Sequence, residues 1–275
     1  MWKTKSQRSW IRLAFLLILF PFSLKAAPDT ETLYNNMTVR ESFYLREFFR
    51  IAISEEHFGY TLFFDKPMST MGFFLRCPSK EMSNAYQNKL LKKGWKVWKK
   101  YETSFPHSRF LLFEEEESFF DKENKHTIKV CNLYLIHKKE FLSQIVANWD
   151  LFSDRLGSEF SPRTLLEQIE STKCLLVHLN YDETLLGILL GFGREAALIF
   201  DLHEKGESHT PLNRLVSTDS FVGKVEPVVF MGNENSLATQ EILKKYDEQR
   251  KALEKILQQK DLLKLTLKAL SQPTE

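Results

Sequence analysis

Between His178 and His203 the sequence gathers side chains that can donate, accept or hold a proton. His178, Asp182, Glu183, Glu195, Asp201 and His203 are of the types that act as general acids, general bases or metal ligands when a fold makes them converge. Cys174 precedes His178 by four residues, a spacing that puts thiol and imidazole on one face of a helix, as nucleophilic chemistry requires. None of these sets is completed by a motif. The chain has no H-E-x-x-H, H-x-H or G-x-S-x-G, and His203-Glu204 lacks the second histidine of a metalloprotease. No partner or oxyanion hole can be named for the cysteine. These residues therefore read first as structural, and an envelope hydrolase with acid/base chemistry near residues 178–203 is the alternative.

The same region, LLGILLGFGREAALIF (185–200), holds three of the ten glycines in the chain and spells G-x-G-x-x-A over Gly191, Gly193 and Ala196. A dinucleotide turn needs those glycines between a strand and a helix, so that phosphate reaches the N-terminal amides of the helix. Here Asn180-Tyr181-Asp182-Glu183 precedes the run, and these are helix-start residues. Gly187-x-x-x-Gly191 has the spacing of a membrane helix contact, but the apolar run Leu185–Phe192 is far shorter than the ~20 residues of a span. The reading that remains is close packing. Gly191 or Gly193 ends one helix, and Arg194 to Leu202 form the next. Charged residues beside a glycine turn in an apolar stretch need a reason, so Gly191, Gly193, Arg194 and Glu195 are the candidate binding or structural-functional residues. No catalytic residue, cofactor or metal is assigned.

Two other stretches carry side chains capable of chemistry. Glu114 to Glu117 could offer oxygens to a hard cation, but they lack the spaced Asp, Asn and Gly of a calcium loop and read as a solvated acidic turn. Trp95 to Tyr101 (WKVWKKY) sets lysines beside aromatics, which suits base stacking or a membrane surface; the simpler reading is a half-buried edge with snorkelling lysines.

The ends bound the location. Lys3, Lys5, Arg8 and Arg12 make a basic start, Ile11–Leu24 is almost wholly apolar, and Lys25-Ala26-Ala27 follow, the layout of a secretory signal peptide cleaved after residue 26. A retained anchor is the alternative, although the apolar stretch is short for a span. The whole chain carries 38 basic and 36 acidic residues; residues 1–26 hold five of the basic and none of the acidic, so the remainder has 33 against 36. That balance lacks the basic surplus of a nucleic-acid binder. Cys77, Cys131 and Cys174 are an odd set without C-x-x-C, leaving one disulfide or three buried thiols open.

The elements that must position these residues follow from period and punctuation. Thr38-Val-Arg-Glu41 has the capping-box form and opens a helix over 39–55. Aromatic, β-rich 58–64 predicts a strand and Asp65-Lys66-Pro67 a turn; Ser79 caps a helix that Gly94 ends. Residues 109–115 and 127–137 predict paired strands, with the glutamate run in the connection between them. In the second strand Ile128, Val130, Asn132, Tyr134 and Ile136 lie on one side and Cys131, Leu133, Leu135 and His137 on the other. Helices are expected over 141–156 and from Pro162, and a short strand over 225–231. From Ser236 a three-four spacing through Ile242, Tyr246, Leu253 and Ile256 indicates a long amphipathic helix, with a second starting at Asp261. The fold class is α+β: one mostly helical domain over 38–270 with a small antiparallel sheet, a flexible segment at 27–37 and a long amphipathic helical segment at 236–270.

Three stretches, FGYTLFFDKP (58–67), LLGILLGFGREAALIF (185–200) and EPVVFMGNENSLATQEILKKYDEQR (226–250), resemble an uncharacterised family of exported proteins of intracellular bacteria, among them chlamydia-like organisms and Legionella relatives. The resemblance implies a periplasmic, envelope-associated or secreted location and carries over no catalytic residue. The expected function is non-enzymatic binding of a protein partner at the envelope or host interface, without nucleic acid and without a membrane span after signal cleavage. Membrane-surface association through Trp95–Tyr101 is a weaker third class. A cleft that brings His178, Glu195 or His203 onto a second polar group would favour an enzyme, and an exposed aromatic patch would favour a binder.

Overall fold

The computed structural model describes residues 30–75, 85–105, 108–121, 126–157, 159–207, 210–218, 223–259 and 261–273. The expected signal peptide, its cleavage site, Cys77 and the Ser79 cap lie outside these residues.

The architecture is α+β and mostly helical, built around a three-stranded antiparallel sheet. Its strands are β1 (Met68–Phe74), β2 (Phe110–Asp121) and β3 (His126–His137), in the order β1-β3-β2. β3 is central, and its alternation builds two cores. Cys131, Leu133 and Leu135 join Phe110 and Phe73 in one hydrophobic cluster, whereas Tyr134 and Ile136 join Leu111, Phe113 and Met68 in the other. The period-two pattern read from the sequence thus becomes two buried faces, and burial on both sides accounts for the apolar character of this strand.

The first face is covered by α2 (Val39–Ser54), α3 (Phe58–Phe63), α4 (Ala85–Tyr101), α10 (Leu237–Leu257) and α11 (Leu262–Leu270). The capping box of α2 is formed: Thr38 Oγ1 accepts from Glu41 N at 3.2 Å, and Glu41 Oε2 accepts from Thr38 N at 2.9 Å. α10 begins at Ser236, whose hydroxyl accepts from Thr239 N at 3.3 Å, and it buries Tyr246 and Leu253 completely. α11 follows the Asp261 cap, as the spacing predicts.

The second face is covered by α5 (Lys138–Ala147), α6 (Trp149–Leu156), α7 (Pro162–Thr172) and α8 (Glu183–Leu189). α9 (Arg194–Glu204) follows the glycine turn and packs on α8 and on a second, two-stranded antiparallel sheet, β4 (Asn213–Val216) with β5 (Val229–Gly232).

Several expectations are corrected. Residues 58–63 are helix α3, with five consecutive residues, Phe58 to Leu62, buried, and Phe64 is its extended C-cap. The sheet takes Met68–Phe74 as its third strand instead. Gly94 does not end α4. A Cβ there would meet Phe48 and the Tyr44 carbonyl, so glycine lets α4 lie directly on α2, and Trp95–Tyr101 continue the helix with Trp95 and Trp98 buried. The glutamates 114–117 are not a turn but part of β2, paired with Leu133–Val130 of β3. Residues 141–156 form two helices divided at Asn148. β5 is shorter than expected, and β4 was not foreseen. Within the expected flexible segment, Thr30–Asn35 form α1, which buries Leu33 and places Glu31 on Lys264 at 2.7 Å. Cys131 and Cys174 are free thiols, the first buried.

Candidate functional site

The glycine stretch folds as two short helices meeting at a turn. Asp182 caps α8 by accepting from Leu185 N at 2.8 Å. After Leu189 the chain leaves the helix through Gly191 at φ 79° and Gly193 at φ 85°, the left-handed region where an L side chain is strained. Gly193 is the N-cap of α9. The surroundings add a second requirement. A Cβ on Gly191 would strike the Tyr246 hydroxyl and lie 3.1 Å from Pro67 Cδ; one on Gly193 would lie 2.5 Å from Ile242 Cδ1. The turn is therefore roofed by α10 and by the Lys66-Pro67 segment, and Tyr246 Oη donates to Gly191 O at 2.9 Å.

The charged candidates serve the frame. The guanidinium of Arg194 donates to both carboxylate oxygens of Asp150 at 2.7 Å, an exposed bidentate pair between α9 and α6. Glu195 accepts from Ser236 Oγ at 2.5 Å, so the first turn of α9 holds the residue that caps α10.

The other titratable residues of the region also have structural partners. Arg155 binds Asp182 at 2.5 Å and Asp201 at 3.2 Å, tying α6 to the cap of α8 and to α9. Burial alone would raise the Asp201 pKa, but hydrogen bonds from Lys205 and Arg155 outweigh it and hold the carboxyl below its ordinary range. His178 Nε2 lies 2.8 Å from Thr172 Oγ1, in a series of turns rather than a helix, so its spacing from Cys174 does not define one helix face. Glu183 and His203 are exposed. The structure does not gather these groups on one another, and among the described residues no group of three His, Cys, Asp or Glu side chains could hold a metal ion.

What the turn does build is a groove. Leu186 of α8, Leu190 at its C-cap, Phe200 of α9, and Phe230 and Met231 of β5 line a depression of about 360 Å3 beside Phe192. At its base α8 and α9 approach so closely that a Cβ on Gly187 would be 3.1 Å from Ala197 Cβ. Phe192 stacks on Phe230 with ring centroids 5.3 Å apart and planes inclined by 9°. Glu183 is the one charged residue of the lining. Two residues before it, Tyr181 is 67% exposed and, like Asn180, holds a left-handed backbone (φ 56° and 53°). Such strain in two successive residues persists where the surroundings fix it; here Tyr181 N donates to Leu176 O at 2.9 Å.

Behind Phe192 lies a residue that sequence reasoning did not single out. Lys66 is 2% exposed, its ammonium donates to Met68 O at 2.5 Å, and it sits 5.8 Å from the Phe192 ring centroid, with no carboxylate bound to it among the described residues. Burial, with Lys245 nearby, lowers its pKa to about 7. Adjacent His57, left-handed at φ 64° and 3.0 Å from Pro227 O through Nε2, is lowered to about 4, first by burial and then by Lys66. The only signal for either was position: a lysine before proline at the end of an aromatic run.

No family model matches the chain, and no curated protein or solved structure matches it either.

Proposed function

We propose that this chain is an exported, non-enzymatic binding protein of the cell envelope or host interface, and that the groove between α8, α9 and β5 receives apolar side chains of a protein partner. The carrying observation is the composition of that groove. It is lined by leucine, phenylalanine, methionine, alanine and glycine with Glu183 at its edge, a surface that gains free energy when an apolar anchor displaces its water. Its volume is in the range of small binding pockets. The exposed ring of Tyr181, on a constrained backbone beside the groove, adds an aromatic contact of the kind enriched at interfaces.

The enzyme alternative gains no comparable support, since His178, Asp182, Glu195 and Asp201 each hold a neighbouring element in place. Export rests on the amino-terminal pattern of charge and hydropathy together with the family resemblance.

The test is a photo-crosslinking amino acid placed at Phe200 of the full chain, expressed in the cells that make it, with Val146 on α5 as the control position (62% exposed). A protein adduct formed from position 200, absent from position 146 and abolished by Leu190→Asp, is expected from the processed form in an exported fraction. Equal labelling from both positions, or protein retained in the cytosol with residues 1–26 attached, would overturn the reading.

A further inference from the structure

β2 is an edge strand, and alternation decides which of its peptide groups face outward. His137 N donates to Pro67 O at 2.9 Å and Leu75 N to Lys129 O at 2.8 Å, so odd-numbered residues of β3 turn their backbone toward β1. Even-numbered residues of β3 therefore serve β2. In register, Phe110 faces His137, Leu112 faces Leu135, and Glu114 faces Leu133. These are the pairs that exchange no hydrogen bonds, so the N–H and C=O groups of Phe110, Leu112 and Glu114 point away from the sheet. Ser108 Oγ accepts from Phe110 N at 3.0 Å. Among the described residues, no main-chain group pairs with Leu112 or Glu114 on that side.

This edge is the floor of a cleft of about 400 Å3 lined by five successive residues, Phe110 to Glu114, about 17 Å of strand at ~3.4 Å per residue. One wall carries Trp98, Lys99 and Phe105, the other Lys138, Glu170 and Lys173. Trp98 is 3% exposed, and among the described residues its indole N–H has no acceptor. The chain itself uses the neighbouring stretch of this edge. Arg109 N donates to Gln272 O at 3.0 Å, and Ser108 forms an antiparallel bridge with Pro273. Leu270, at the end of α11, closes the cleft on that side.

We propose that this cleft accepts an extended segment of a partner protein, which adds to β2 as an antiparallel or parallel strand at Leu112 and Glu114. An extended backbone is the occupant because outward donors and acceptors recur at alternate residues, a pattern another strand matches. The β2 edge of a second copy cannot supply it, since that edge is recessed between the same two walls. The side chains follow from what flanks the floor. Phe105 and Leu112 take apolar groups, Lys99 and Lys138 are already paired with Glu102, Glu114 and Glu170, and the edge runs on into Glu115, Glu116 and Glu117. Glu115 already accepts from Leu175 N, whereas Glu116 is exposed. The segment therefore alternates apolar and basic residues, because opposite charges on neighbouring strands attract and like charges repel. This inference is independent of the groove at α8 and α9.

The test titrates the full chain, as it is purified, with a short synthetic peptide alternating valine and lysine. Controls are the same peptide N-methylated at alternate amides, and a valine–glutamate peptide. Binding of the lysine peptide is expected, with slowed amide exchange at Leu112 and Glu114 and affinity at least about tenfold weaker for either control, a difference of roughly 1.4 kcal/mol. Leu112→Pro removes an outward donor and a partly buried side chain but leaves the ladder to β3 intact, so it should fold with some loss of stability and lose the peptide. Leu190→Asp, in the other groove, should bind it as the parent does. Equal affinity for the N-methylated peptide, unchanged binding by a folded Leu112→Pro, tighter binding of the glutamate peptide, or no binding of any of them would overturn the proposal.

Discussion

The hydroxyl of Tyr246 donates to the carbonyl of Gly191 across 2.9 Å and fills the space that a Cβ on Gly191 would occupy. One contact thereby joins the middle of α10 to the turn between α8 and α9, which are 55 residues away in sequence. It also explains why glycine stands there on two counts, a left-handed φ of 79° and no room.

Gly191→Ala is therefore expected to destabilise the fold by about 2 kcal/mol or more, combining backbone strain with displacement of Tyr246. Tyr246→Phe keeps the ring, which is packed edge-on against Tyr60, and removes only the donor; the expected loss is about 1 kcal/mol. Urea unfolding midpoints at constant slope distinguish the two. A Gly191→Ala protein as stable as its parent would refute the packing role of the turn.

Lys66 predicts an alkaline dependence. Its pKa is lowered in the folded protein to about 7, from an ordinary value of 10.5, by burial first and then by Lys245. The folded state thus binds fewer protons than the unfolded chain between these values, and stability rises with pH through that window. Asp65, which pairs with Lys245 at 3.5 Å, and His57 are the other ionisable neighbours. Lys66→Met should raise stability near pH 7 and flatten the slope between pH 7 and 10, measured as unfolding midpoint against pH.

Glu56 and His57 act in opposite directions. Burial, reinforced by Glu55 and Glu226, raises Glu56 from 4.5 to about 7. Its neutral form is the one the fold favours, so its contribution is full below pH 4.5 and is lost as pH rises through 7. Glu56→Gln should stabilise the protein at pH 8 and leave it unchanged at pH 4. His57 is lowered to about 4, so its contribution is present above pH 6.5 and is lost as pH falls through 4. Asparagine tolerates the left-handed backbone at that position, and His57→Asn should reduce the loss of stability between pH 6.5 and 4.

Arg194 and Arg155 separate an exposed ion pair from a structural one. The Arg194 side chain is 41% exposed and meets Asp150 at 69% exposure, where solvent screens the pair and truncation changes little. Arg155 is 22% exposed and holds two carboxylates that are less exposed still. Arg194→Ala is expected to leave the thermal midpoint essentially unchanged, and Arg155→Ala to lower it clearly, in scans at matched salt.

Helices carrying their own start signals and a single apolar stripe were legible in the residues. Thr38 and Glu41 announce α2, Ser161-Pro162 announce α7, and the spacing of Tyr246 and Leu253 marks the buried face of α10. The alternation in 127–137 named both faces of β3 correctly. In each case the determinant is local: a side chain that satisfies its own helix end, or a period that matches one element.

Where the determinant lay far along the chain, composition misled. Phe58–Phe63 has β-rich residues, yet it is a helix packed among α2, α10, α11 and the sheet, with Phe58 to Leu62 buried. Gly94 looks like a stop until Phe48 of α2 is found against it. Four glutamates look like a turn until β3 supplies a partner strand.

The sequence by itself determined the α+β class, the helix caps at Thr38, Ser161, Ser236 and Asp261, the central strand and the replacement of side chains by hydrogen at the turn of 187–193. These follow from short-range sterics and hydrogen bonding, which adjacent residues specify. Only the tertiary structure decided that Tyr246 covers that turn, that Lys66 is enclosed by the core, and that an apolar groove and the outward edge of β2 lie where they do. Those depend on which distant surfaces exclude water from one another, and no local pattern encodes that.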